Sequence, residues 1–190
     1  MSMTTNPKPV GRVQRTPDFD LSMEDLRAVA AFNLACALQV IELFEAVQPH
    51  DPRPRVALAA AEDFVRGGPR SRAQRIGAPA AHRASKEVSG AASHAAMAAG
   101  DAAASAYLHP LADASQVGHI LRGPSHCVLA LEARAVEPLT RAAAVAAVLE
   151  QSTPAMVEVL CRYPRAATRD RATADVMSFL DVQLRKSVSR

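Results

Sequence analysis

The sequence predicts an all-α protein, a compact bundle of about seven helices around an alanine-rich central helical hairpin. Three observations carry that prediction. Hydrophobic residues make up 49% of the 190-residue chain, yet aromatics are only 4% and there is no Trp. Much of the apolar content is therefore alanine, the best helix former, which also lets helices approach closely. Valine and isoleucine never alternate with polar residues in runs bounded by hairpin turns. Helix caps and prolines recur at helix-length intervals. The length suits one domain with a real core, expected over 18–190, after a basic tail (1–17) that is too polar to order itself.

Taken in order, Ser22 followed by Asp25 reads as a capping box opening the first helix. Leu26, Val29, Ala30, Ala37, Val40, Ile41 and Phe44 then keep helical spacing to about residue 47, with Asn33 and Cys36 interrupting the stripe. Pro49 ends it. Asp51-Pro52 starts the second helix, 53–66, with Asp51 expected as the cap. Gly67-Gly68-Pro69 breaks the chain again. A third helix is expected over 71–88, kinked or split at Pro79.

The fourth, 89–108, consists mostly of Ala, Ser and Gly, and its small side chains place it at the centre. Pro110 is expected to end that hairpin arm and begin the fifth helix, to about Arg122. Gly123-Pro124 should interrupt it before a further segment at 125–135. The sixth opens at Pro138 and is divided near Pro154. After a basic loop at 162–171, a last amphipathic helix covers 173–188.

Net charge is only +3. The basic runs at 66–75 and 162–171 hold one nearby aromatic, Tyr163, so solvated loops are favoured and nucleic-acid binding is disfavoured. Cys36, Cys127 and Cys161 are odd in number and lack C-x-x-C spacing, which reads as buried free thiols in a reducing cytosol. Neither a secretory signal nor a spanning stretch is visible, so a cytoplasmic protein without membrane association is expected. No phosphate loop, nucleophile elbow or H-E-x-x-H occurs. No cofactor and no metal are expected.

One constellation could form a site. Asp101 and His119 each lie nine residues from Pro110, so an antiparallel hairpin would bring them level. His94 and His126 are likewise equidistant from Pro110. His94, Asp101, His109 and His119 are therefore the candidate ligand-binding residues, with no catalytic residue assigned. A buried carboxylate beside an imidazole would favour its charged form. The alternative weighed above this is a hydrogen-bonded pair that fixes helix register. His109, before Pro110, also reads simply as a helix-end residue facing the last carbonyls.

Three stretches, DFDLSMEDLRAVAAF (18–32), DPRPR (51–55) and AGDAAASAYLHPLADASQVGHIL (99–121), together resemble the bacterial immunity protein five-like helical family. The resemblance extends over most of 18–184, including the RYP element at 162–164. It implies an all-α cytoplasmic protein that binds and neutralises a toxin protein without catalysis. Relatives also carry the label of an SbcC-type exonuclease, against which the missing phosphate loop argues. The rival readings are a small-molecule or metal-dependent enzyme using Asp101, His119 and His94, or a nucleic-acid-associated protein. Homo-oligomerisation stays open.

Overall fold

The computed structural model describes residues 17–166 and 172–186, and within them the fold is all-α. All of the expected tail except Pro17 lies outside the described residues, as do five residues of the basic loop. Nine α-helices occur among the described residues, two more than the sequence suggested, because two expected helices are divided and others shift their ends.

The first helix, α1 (Met23–Leu38), opens on the predicted capping box: the Asp25 backbone N–H donates to Ser22 Oγ and the Ser22 N–H donates to Asp25 Oδ2. It stops earlier than expected. The N–H groups of Gln39 and Val40 bond back three residues to Cys36 and Ala37, tightening the turn. The chain then restarts as α2 (Ile41–Glu45), which sends both Ile41 and Phe44 into the core.

Helix α3 (Arg53–Val65) follows the DPRPR run. Pro52, not Asp51, occupies its cap position, while the Asp51 carboxylate accepts the Arg53 backbone N–H. The motif acts as a clamp. Arg53 pairs with both Asp51 and Glu87, and Arg55 with Glu45, so the start of α3 is tied to α2 and to the turn before the central helix. Helix α4 (Arg72–Ala84) has its own capping box from Ser71 and Gln74 and continues through exposed Pro79 into a short 3₁₀ turn.

The central element is α5 (Gly90–Ala104), packed against α1, α2, α3 and α4 and most extensively against α6 (Val117–Ala133). Its alanines are almost all buried, so neighbours crowd close to its backbone. Pro110 does not begin a helix. Residues 105–116 form a loop with two short 3₁₀ turns, held because Asp18 donates its N–H to the Pro110 carbonyl and accepts that of Ala112.

Nor do Gly123 and Pro124 interrupt α6, which is one helix of 17 residues. A proline inside a helix lacks the N–H that would bond the carbonyl four residues back, here that of Ile120. The Asn33 side chain supplies the missing donor, with Nδ2 3.0 Å from the Ile120 oxygen. The polar residue that interrupts the α1 stripe thus repairs its neighbour.

The sixth expected helix becomes α7 (Arg141–Leu149), capped by Thr140, and α8 (Pro154–Cys161), capped by Thr153. Helix α9 (Ala172–Lys186) packs against α6, α7 and α8. Phe32, Phe44 and Phe64 are fully buried and anchor the core; each contributes on the order of 2 kcal/mol by leaving water. Cys36 and Cys127 are buried thiols, but Cys161 is exposed on α8, which corrects the expectation for that residue.

Candidate functional site

The hairpin predicted around Pro110 exists between α5 and α6, but its polar partners are paired differently. Asp101 is 2% exposed and accepts three bonds on one oxygen, Oδ1. Two come from Arg122, through Nε at 2.9 Å and Nη2 at 2.6 Å; the third partner is His82 Nε2 on α4, at 3.0 Å. Burial pushes the Asp101 pKa up, but the bonds from His82 and Arg122 outweigh it and hold the carboxyl below its ordinary value. The ionised carboxylate therefore ties α4, α5 and α6 together.

Two glycines make room for this arrangement. A Cβ on Gly100 would lie 2.5 Å from His82 Nε2, so only a bare backbone lets the imidazole cross α5 to reach Asp101. A Cβ on Gly123 would lie 2.5 Å from Asn33 Oδ1 and 3.2 Å from the Asp101 Cβ. Gly123 thus brings α6 close to α5 and α1 at the level of the carboxylate.

His119, the expected partner of Asp101, is not bonded to it. Its ring faces the Ala104 carbonyl; burial, followed by the Arg122 charge, lowers its pKa despite the nearby carboxylate. Its Nδ1 is buried without a hydrogen-bond partner, as are Asp101 Oδ2 and Asn33 Oδ1. The Asp101–His119 bond is thus replaced by Asp101–Arg122, because the longer guanidinium one helical turn further along α6 spans the gap and delivers two donors. His94 does meet the residue aligned with it: its Nδ1 lies 2.9 Å from His126 Nδ1. His109 stands apart in the exposed loop, where its N–H donates to Gln116 Oε1 and its carbonyl accepts from the Tyr163 hydroxyl.

Sequence reasoning missed His82 as a member of the cluster. Nothing along the chain links residues 82 and 101; the available signal was Gly100, a helix-interior glycine with a conformational cost of about 1 kcal/mol relative to alanine. Among the described residues no group of three or more His, Cys, Asp or Glu is arranged to hold a metal ion. No helix among them is long and apolar enough to cross a membrane. The arrangement as it stands is a charge-paired lock between helices, with His82 and Arg122 reaching toward its partly exposed rim.

The basic loop begins as a structural tie. Arg162 grips both oxygens of Asp25 and the Asp20 carbonyl, fastening the end of α8 to the start of α1. Tyr163 packs edge-on against Phe19, with ring centroids 4.9 Å apart.

Residues 20–110 match the family model described as "Imm-5 like putative immunity protein". The similarity to that family runs from the loop before α1 to Pro110 and covers a little under half of the chain. His82, His94 and Asp101 lie within the match, whereas Arg122 and His126 lie beyond it. No curated protein and no solved structure matches the chain.

Proposed function

We propose that this protein is a cytoplasmic immunity protein that neutralises a toxin by binding it, without catalysis. The observation that carries the proposal is the family match over 20–110. The bonding at Asp101 supports it: the carboxylate is engaged by the Arg122 guanidinium and the His82 ring and closed within the helix seam, which suits a rigid binding scaffold. Rigid, preformed surfaces bind at lower ordering cost.

The test is genetic and biochemical. Expression of the adjacent gene's product alone should arrest growth. Co-expression with this chain should restore growth and yield a stable complex by size exclusion. Continued arrest, with no complex formed, removes the toxin-binding reading.

A second reading rests on a different observation. Asp101 Oδ2 and Asn33 Oδ1 are buried acceptors without donors, on side chains that both lie against Gly123, and His119 Nδ1 is a third buried atom without a partner. They would suit a small donor-rich guest. Calorimetric titration with ammonium and small primary amines tests it, and heats indistinguishable between the native protein and Asp101→Asn eliminate it.

A further inference from the structure

Helix α4 divides cleanly into two faces. Gln74, Gly77, Ala78, Ala81 and Ala84 are buried, whereas Arg72, Arg75, Ile76, Pro79 and Arg83 are exposed. At 3.6 residues per turn, these exposed positions fall within an arc of about 100° and run roughly 17 Å along the axis. Arg70 before the helix and Lys86 just after it are exposed too.

What distinguishes this face is that its charge is uncompensated. Among the described residues, Arg27, Arg53, Arg55, Arg66, Arg122, Arg134, Arg141, Arg162 and Arg185 all bond to carboxylates or carbonyls. Seven lysine and arginine side chains among the described residues have no hydrogen bond or ion pair, and five of them are Arg70, Arg72, Arg75, Arg83 and Lys86. The other two are Arg165 and Lys186. No carboxylate lies on α4 itself. On the flanking elements Glu62 and Glu87 are held by Arg66 and Arg53, and exposed Asp63, at the end of α3 beside Gly68, forms no ion pair with any of these five.

Like charges three or four residues apart destabilise a helix, as Arg72 with Arg75 and Arg83 with Lys86 do here. An opposite surface brought against them would relieve that repulsion. In the middle stands Ile76, 52% exposed, beside Pro79. An apolar centre within a charged rim is the anatomy of a protein interface, in which arginine is enriched. A nucleic-acid surface for single strands would instead offer aromatic rings for stacking, and this face has none.

We propose that the outer face of α4 is the docking surface for an acidic patch on a protein partner, with Ile76 entering an apolar depression at its centre. The proposal rests on the toxin-binding reading and names the surface that reading uses; α4 lies wholly within the matched segment. Opposite charge across the contact would speed encounter and make affinity fall with salt.

The experiment compares the native chain with the triple variant Arg72→Glu/Arg75→Glu/Arg83→Glu and with Ile76→Asp. All four positions are exposed, so thermal unfolding should confirm that the fold is kept. Against the purified product of the adjacent gene, the triple variant should bind about a hundredfold more weakly and Ile76→Asp about tenfold. Equal binding by native and variant proteins overturns the α4 surface while leaving the toxin reading standing.

If that product binds neither, the toxin reading fails, and a short helical peptide of glutamate and leucine decides the surface by amide NMR. Shifts confined to α4 support it; shifts elsewhere, or none, overturn it. A short DNA duplex that outcompetes the peptide on the native protein also overturns the choice of an acidic protein partner.

Discussion

The Nδ1 atoms of His94 and His126 meet at 2.9 Å across the α5–α6 seam. Their ring centroids are 5.2 Å apart, as expected when the two lone-pair directions lie nearly along one line. One ring must donate and the other accept, so the pair holds together only while at least one Nδ1 is unprotonated. Burial lowers both pKa values, that of His126 to about 4, with Asp101, Arg122, His82 and His94 as the charged or titratable groups acting on it.

The pH dependence follows from that depression. An unfolded His126 takes up its proton near 6.5 and the folded one only near 4. Between those values the unfolded state binds more protons, so stability is full above about pH 6.5 and falls as pH drops toward 4. The linkage is on the order of 3 kcal/mol. Urea unfolding at several pH values should trace this loss, and His126→Gln should flatten it; an unchanged slope in the variant would refute the assignment.

Asn33 and Pro124 should be energetically coupled. Asn33→Leu strands the Ile120 carbonyl and should cost about 1–3 kcal/mol. In a Pro124→Ala background, the restored backbone N–H serves that carbonyl and the same change should cost about 1 kcal/mol less. A double-mutant cycle by urea unfolding measures the coupling, and strict additivity would count against the repair role.

Asp101→Ala removes the acceptor shared by Arg122 and His82 and should destabilise by about 2–4 kcal/mol. The value sits below that for a fully buried pair because the Arg122 side chain is 41% exposed and can turn to water. A loss under about 0.5 kcal/mol, typical of exposed pairs, would mean that the lock is not structural.

Two glycines of α6 should respond in opposite directions to alanine. Gly123→Ala drives a methyl against Asn33 Oδ1 and should cost about 1–3 kcal/mol. Gly118→Ala meets nothing within 4 Å and should stabilise by about 0.5–1 kcal/mol through helix propensity. Melting temperatures of the two variants moving in the same direction would contradict the packing described.

The three cysteines should separate by reactivity. Exposed Cys161 should alkylate in the native protein, while Cys36 and Cys127 should react only after unfolding. Burial raises both internal thiol pKa values, that of Cys127 to about 12, so little thiolate forms there. Mass spectrometry after iodoacetamide treatment counts the adducts; more than one in the native state argues against this burial.

The sequence by itself determined the helical class, the capping box at Ser22, the division at Pro154, and the central place of the alanine-rich helix. These depend on local propensity, hydrogen bonds spanning three residues, and side-chain size. It also located the hairpin whose axis aligns His94 with His126. Tertiary structure alone decided that Asp101 turns to Arg122 and His82 rather than to His119, and that Pro124 leaves α6 intact. Both outcomes depend on a third helix: α4 delivers His82 across Gly100, and α1 delivers Asn33 to the open carbonyl. Spacing along one chain segment carries no information about what a distant helix brings to its side.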